Sequence, residues 1–177
     1  MRQFLRMKIL PRLILLAALA CSFTACLFKE PVFTEGFAKA DAALGGVWVM
    51  EGEGGDAPKS ESAVCVPLDD GRYILHYPTN EKNGLYYEAR PLQLRERTLL
   101  QLRVLASTSD GLPKADEERY TLLWIEKDGE KVRVRALGHD RVKNKGPADI
   151  RQELETLSSD WGKLFGKPAV FHRLKNR

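Results

Sequence analysis

Between Gly46 and Leu174 the chain runs in short stretches where apolar and polar side chains alternate, broken at intervals by turn residues. Tyr73, Leu75 and Tyr77 alternate with Arg72, Ile74 and His76; Leu85, Tyr87 and Ala89 alternate with Tyr86, Glu88 and Arg90; Val132, Val134 and Ala136 alternate with Lys131, Arg133 and Arg135. Residues two apart share one face of a strand, so each run turns an apolar face to a core and a mixed face outward. Strands are predicted over 46–51, 62–68, 73–77, 85–94, 99–106, 119–126, 131–137 and 168–174. Asp70-Gly71, Asn83-Gly84 and Asp128-Gly129 lie between such runs, and these pairs tolerate the positive φ of tight hairpins. Antiparallel pairing of consecutive strands is the simplest consequence. Pro91 has no N–H for a ladder and predicts a bulge or an edge within its run.

Near the end the period turns helical. Pro147 can open a helix in which Ile150, Leu154 and Leu157 form one stripe, and Trp161, Leu164 and Phe165 repeat the spacing in a second short turn. The longest stretches without a pattern are 52–61, 107–118 and 138–145, where binding residues would sit. The fold class expected is mainly β: an up-and-down meander of about eight strands with a short helix before the last. Closure into a small barrel would remove the exposed edges of an open meander.

Residues 1–25 follow a different rule. Arg2, Arg6, Lys8 and Arg12 precede an unbroken apolar run from Leu13 to Ala20, which is too short to cross a bilayer as a permanent helix. This is the layout of a secretory signal. Phe23-Thr24-Ala25 before Cys26 resembles the lipobox of bacterial lipoproteins. Ala18-Leu19-Ala20 before Cys21 fits more loosely, so Cys26 is the preferred processing site. The resemblance implies that the Cys26 thiol receives a diacylglycerol and its freed amino group a further acyl chain, which gives stable anchoring where one chain gives marginal binding. Leu27, not Asp, follows Cys26, and by the same resemblance this favours the outer membrane, facing the periplasm. Residues 1–25 are then the signal peptide, 26–44 a lipidated tether with a helical turn or two around Phe37, Ala40 and Leu44, and 45–177 one domain.

Removing the signal changes the charge argument. The chain has 28 basic and 24 acidic side chains, and four of the basic ones lie in residues 1–25, leaving 24 of each. Nucleic-acid binding thereby loses its compositional support. The remaining charge is uneven: 26–89 hold 5 basic and 11 acidic residues, and 90–177 hold 19 and 13. The basic half, with Lys131, Arg133, Arg135, Arg141, Lys143 and Lys145, is either a face for anionic lipid or a partner protein, or a solvated face with acidic neighbours folded beside it. Of the three cysteines only Cys65 stays in the mature domain, so an intramolecular disulfide is impossible; in Ala63-Val64-Cys65-Val66 it reads as a small buried hydrophobe.

Motifs that carry chemistry are missing. No Gly-x-Ser-x-Gly elbow, His-Glu-x-x-His helix, Cys-x-x-Cys pair or Walker-type loop occurs. Glu51-Gly52-Glu53-Gly54-Gly55-Asp56 is glycine-rich but acidic, which opposes phosphate binding. Asp69-Asp70 reads as a turn, Asp116-Glu117-Glu118 as a solvated loop. His76, His139 and His172 lie in separate segments and read as unrelated. No enzyme activity, metal or cofactor is expected.

Leu44-Gly45-Gly46-Val47-Trp48 at the first strand resembles the Gly-x-Trp opening of lipocalins, and a late helix before a last strand agrees with it. The resemblance implies a lipocalin-like barrel in which Trp48 closes one end against an arginine from the last part of the chain, Arg135 or Arg173. It also implies a binding role. Trp48, Tyr73, Tyr77, Tyr87, Tyr120 and Trp124 are the candidate lining of a cavity for a lipid or another small apolar molecule; alternatively they fill the core. The second functional reading is an envelope module that docks a protein partner through the basic C-terminal half, at Arg133 and Arg135.

Overall fold

Eight strands close into a barrel in which each pairs antiparallel with the next and the last returns to the first. They are β1 (Gly46–Met50), β2 (Ser62–Pro67), β3 (Tyr73–Tyr77), β4 (Leu85–Leu94), β5 (Arg97–Ser107), β6 (Tyr120–Asp128), β7 (Lys131–Ala136) and β8 (Ala169–Arg173). All eight predicted strands are present, each end within two residues of its expected place. The structure is a computed structural model and describes residues 28–52, 61–79, 82–109, 111–112, 119–157 and 160–174. The signal, Cys21 and Cys26 lie outside the described residues, as do most of the 52–61 and 107–118 stretches.

The two ends of the barrel differ. At one, which we call the turn end, strands are joined by the short connections 68–72, 95–96 and 129–130. At the other, the loop end, the connections are 51–61, 78–84, 108–119 and 137–168. The last of these was expected to be structureless over 138–145, yet it holds a short helix, α1 (His139–Val142). It continues into α2 (Pro147–Thr156) and a 3-10 turn, Trp161–Lys163. One turn of helix is too short to leave a period in the sequence.

Strand faces separate two apolar clusters. Inward-facing Trp48, Cys65, Tyr73, Ala89, Leu100, Leu102, Ile125, Val132 and Phe171 form the barrel interior. Outward-facing Leu92, Leu99 and Leu122 pack under Ile150 and Leu154 of α2, under Trp161, Leu164 and Phe165, and under Phe28, Val32 and Phe33. Two-sided burial explains why β5 and β6 contain unbroken apolar pairs such as Leu99-Leu100 and Leu122-Leu123 instead of clean alternation.

Residues 28–44, read above as a tether, are docked on the barrel as a strap. The Phe28 amide donates to the Tyr120 carbonyl (2.7 Å), and the Phe28 carbonyl accepts from the amides of Arg119 and Tyr120. The strap then crosses β5, where the Gln101 side chain accepts from the Phe33 amide (2.7 Å) and donates to its carbonyl (2.9 Å). It reaches β4 at Phe37 and Ala38, whose amide donates to the Pro91 carbonyl (2.8 Å). This bond explains Pro91. A residue's N–H and C=O point to the same side of a strand, so the missing donor faces the strap and not β5, and no β4–β5 bond is lost. The edge expectation holds, while the bulge lies elsewhere, between Tyr86 and Tyr87 in the register with β5.

Candidate functional site

The barrel interior holds a cavity of about 290 Å³. Its floor, at the turn end, is built by the Gly-Gly-Val-Trp segment. The Trp48 indole N–H donates to the Leu44 carbonyl (2.9 Å), and the Arg173 guanidinium stands 5.9 Å from the Trp48 ring centroid while donating to the Gly45 carbonyl. Gly46 adopts φ +128°, and a Cβ there would come within 3.1 Å of Arg173 Nε, so the approach of the arginine requires glycine. Of the two arginines the resemblance offered, Arg173 meets Trp48; Arg135 instead lies 4.8 Å over Trp124. Beneath the floor Tyr73 is fully buried, and its hydroxyl donates to the Asp41 carbonyl (3.2 Å) and accepts from the Asp41 amide.

Above the floor the walls are Leu75, Leu100, Leu102, Leu123, Val132, Val134 and Phe171, and toward the loop end the lining continues through Tyr77, Pro78, Asn83 and Leu85. None of the lining residues carries a formal charge. Tyr77 packs edge-on against Phe171 (6.0 Å between centroids), and its hydroxyl donates to the Glu61 carboxylate. Burial pushes the Tyr87 phenol up to about 12 and the Cys65 thiol, on the same wall, also to about 12, so both stay protonated and neutral through the physiological range. Thr121 is 2% exposed, faces the cavity, and its Oγ1 has no hydrogen-bond partner among the described residues.

Three of the six aromatic candidates, Trp48, Tyr77 and Tyr87, line this cavity. Tyr73 lies in the interior cluster but below the cavity. Tyr120 and Trp124 are corrected: both project outward from β6 into the cluster under the strap and helices. Trp124 is held between the guanidiniums of Arg97 (5.0 Å) and Arg135 (4.8 Å) and meets Trp161 edge-on at 5.7 Å. The inward positions of β6 are Thr121, Leu123 and Ile125. Sequence reasoning missed them because the alternate positions, Tyr120, Leu122 and Trp124, are at least as apolar.

Elsewhere several of the charged groups are paired. Lys131 meets Glu51 (2.7 Å), Arg133 meets Asp128 (3.4 Å) and Arg135 meets Glu126 (3.4 Å), which is the arrangement of a solvated face with acidic neighbours. Glu88, buried on the outer face of β4, accepts from Arg72 (2.7 Å), Arg103 (2.9 Å) and Arg90 (3.1 Å). Burial alone would push its carboxyl up; the guanidiniums outweigh that and hold it below the ordinary value. An open groove of about 610 Å³ beside the 68–72 turn is lined by Lys39, Asp69, Asp70, Arg72 and Arg90, and its arginines already serve Asp70 and Glu88. His76 stacks on Tyr86 at 4.1 Å on the outer face, His139 opens α1, and His172 lies on β8 opposite Val49 and Lys131.

Fold and cavity define a class: a closed, eight-stranded up-and-down barrel with an apolar interior cavity. No family model, no curated protein and no solved structure matches the chain.

Proposed function

We propose that the protein is a lipid-anchored binding protein of the bacterial envelope that holds a small apolar molecule in its barrel and performs no catalysis. The observation that carries this reading is the cavity. Eight-stranded barrels either fill their interior with side chains or hold one small ligand, and an interior of about 290 Å³ is roughly twice the ~150 Å³ apolar cavity that admits benzene. The paired state of Arg133 and Arg135 favours this over docking through the basic half.

The strap gives the anchor a direction. Cys26 precedes Phe28 by two residues, and two residues span at most about 7 Å. The Phe28 amide is bonded to Tyr120 at the loop end, toward which the cavity lining extends, and this supports an anchor ahead of Phe28 acting from that side of the barrel. Such an anchor would set the bilayer next to the end of the barrel through which a membrane-derived molecule would enter. Export and outer-membrane sorting rest on the signal and on Leu27.

Two measurements test the reading. Naphthalene should bind the mature protein with a stoichiometry of one by calorimetry, and Ala63→Phe, which fills the cavity from its wall, should abolish it. Failure of naphthalene and of comparable apolar probes to bind would refute the carrier role. Cells fed labelled palmitate should label the wild-type chain and not Cys26→Ala.

A further inference from the structure

The cavity has one feature that an apolar container does not need. Thr121 faces it from β6, in line with Leu123 and Ile125, and is almost completely buried. Valine has the same shape and suits a strand equally well, so packing gives no reason for the hydroxyl. A buried hydroxyl without a partner lowers stability, and such a group in a native interior calls for an explanation. The Tyr77 hydroxyl is committed to Glu61; the Tyr87 phenol and the Asn83 amide also line the cavity, but Thr121 Oγ1 is the lining atom that is both fully buried and without a partner among the described residues, in a wall that the β5–β6 register places beside Leu102.

We infer that the ligand is a neutral molecule about the size of a fused two-ring aromatic, carrying one hydroxyl or carbonyl group that hydrogen-bonds to Thr121 Oγ1. This inference rests on the cavity reading above and narrows it. Charged ligands are disfavoured on the same grounds: no lining residue could pair a carboxylate, and burying an unpaired charge is far more costly than burying a hydroxyl. Hydrogen bonding to a ligand satisfies Thr121 and the ligand group at once, whereas the same ligand without that group leaves the threonine unpartnered.

The test uses the mature, acylated protein in lipid nanodiscs with three probes, naphthalene, 2-naphthol and 2-naphthoate, at neutral pH. Affinities come from calorimetry corrected against empty nanodiscs, and the Trp48 indole NMR resonance reports that the probe is in the cavity. Thr121→Val should weaken 2-naphthol about five- to tenfold, the worth of one net hydrogen bond, and leave naphthalene unchanged. Thr121→Ser should restore the 2-naphthol affinity. In wild type, 2-naphthoate should bind at least about a hundredfold more weakly than 2-naphthol. Thr121→Val should unfold no earlier than wild type, since it removes only an unpartnered group.

Each result decides something. Equal loss of naphthalene and 2-naphthol in Thr121→Val, or no loss of either, overturns the role of Thr121 while the cavity stands. Tight 2-naphthoate binding overturns the neutral class. Absence of binding by all three probes overturns the carrier reading and this inference with it.

Discussion

Gln101 is the point at which the strap is pinned, and replacing it with leucine tests how the barrel is held to its N-terminal segment. The amide side chain gives Phe33 both a donor and an acceptor, at 2.9 and 2.7 Å, in a buried position on the outer face of β5. Gln101→Leu keeps the volume and leaves the Phe33 N–H and C=O without partners, at about 1–3 kcal/mol each. The penalty is therefore about 2–6 kcal/mol. Against it stands the burial of Phe28, Val32 and Phe33, about 1.5–3 kcal/mol apiece and so about 4.5–9 kcal/mol together. The apolar contribution is the larger, so the strap should stay docked in the variant but open far more often. At the low end, a 2 kcal/mol penalty corresponds to about thirtyfold faster exchange of the Phe33 amide. Urea midpoints give the global loss and native-state hydrogen exchange gives the local one. If the variant matches wild type within about 0.5 kcal/mol and the Phe33 amide exchanges no faster, something other than Gln101 fixes the strap.

Four further outcomes follow from the same geometry. Glu88→Gln should cost about 1–3 kcal/mol at pH 7, because three guanidiniums lose their carboxylate; since Glu88 is held below its ordinary value, the wild-type advantage is present above the usual carboxylate range and should be lost as the pH falls from that range through the lowered value, in parallel urea titrations. Cys65, pushed up to about 12 by burial, should resist iodoacetamide at pH 8 in the native protein and react at the unfolding rate when urea is added. Gly46→Ala should destabilise by about 1–2 kcal/mol through its positive φ and its encounter with Arg173, read as a lower melting temperature together with a shifted Trp48 emission. Leu154→Ala, in the outer cluster, should cost about 2–5 kcal/mol of stability yet leave naphthalene affinity unchanged in protein that remains folded.

What could be read from the sequence depended on whether a strand is covered on one face or two. In β3 and β7 the outward positions are Ile74 and His76, or Arg133 and Arg135, so the inward set stands out in the sequence, and Tyr77 lines the cavity. In β6 both sets are apolar because the outward one meets the helices and the strap. Choosing aromatics by size then selected Tyr120 and Trp124 from the wrong face and passed over Thr121. The helical stripe of Ile150 and Leu154 was legible, but what it would cover was not, since periodicity marks a face without naming its neighbour. The strap was invisible for a related reason. Phe28, Val32 and Phe33 follow neither period; Phe37 and Ala40 suggested a helical turn, but the turn is confined to Ala42–Leu44 and Phe37 bridges Leu92, so the docking depends on partners such as Gln101 that lie far away in the chain.

The same two-sided arrangement explains how a small barrel can keep a cavity in its interior. Of the ten largest fully buried side chains, nine belong to the outer cluster, and the tenth, Tyr73, lies beneath the cavity floor. Full burial of a large apolar side chain contributes about 1.5–3 kcal/mol, so the outer cluster supplies stability that a filled interior would otherwise have to give. The strap and the α1–α2 segment therefore do more than cover β4–β6. They place the largest buried side chains outside the sheet and leave room inside the barrel, where Thr121, Tyr77 and Tyr87 face the cavity.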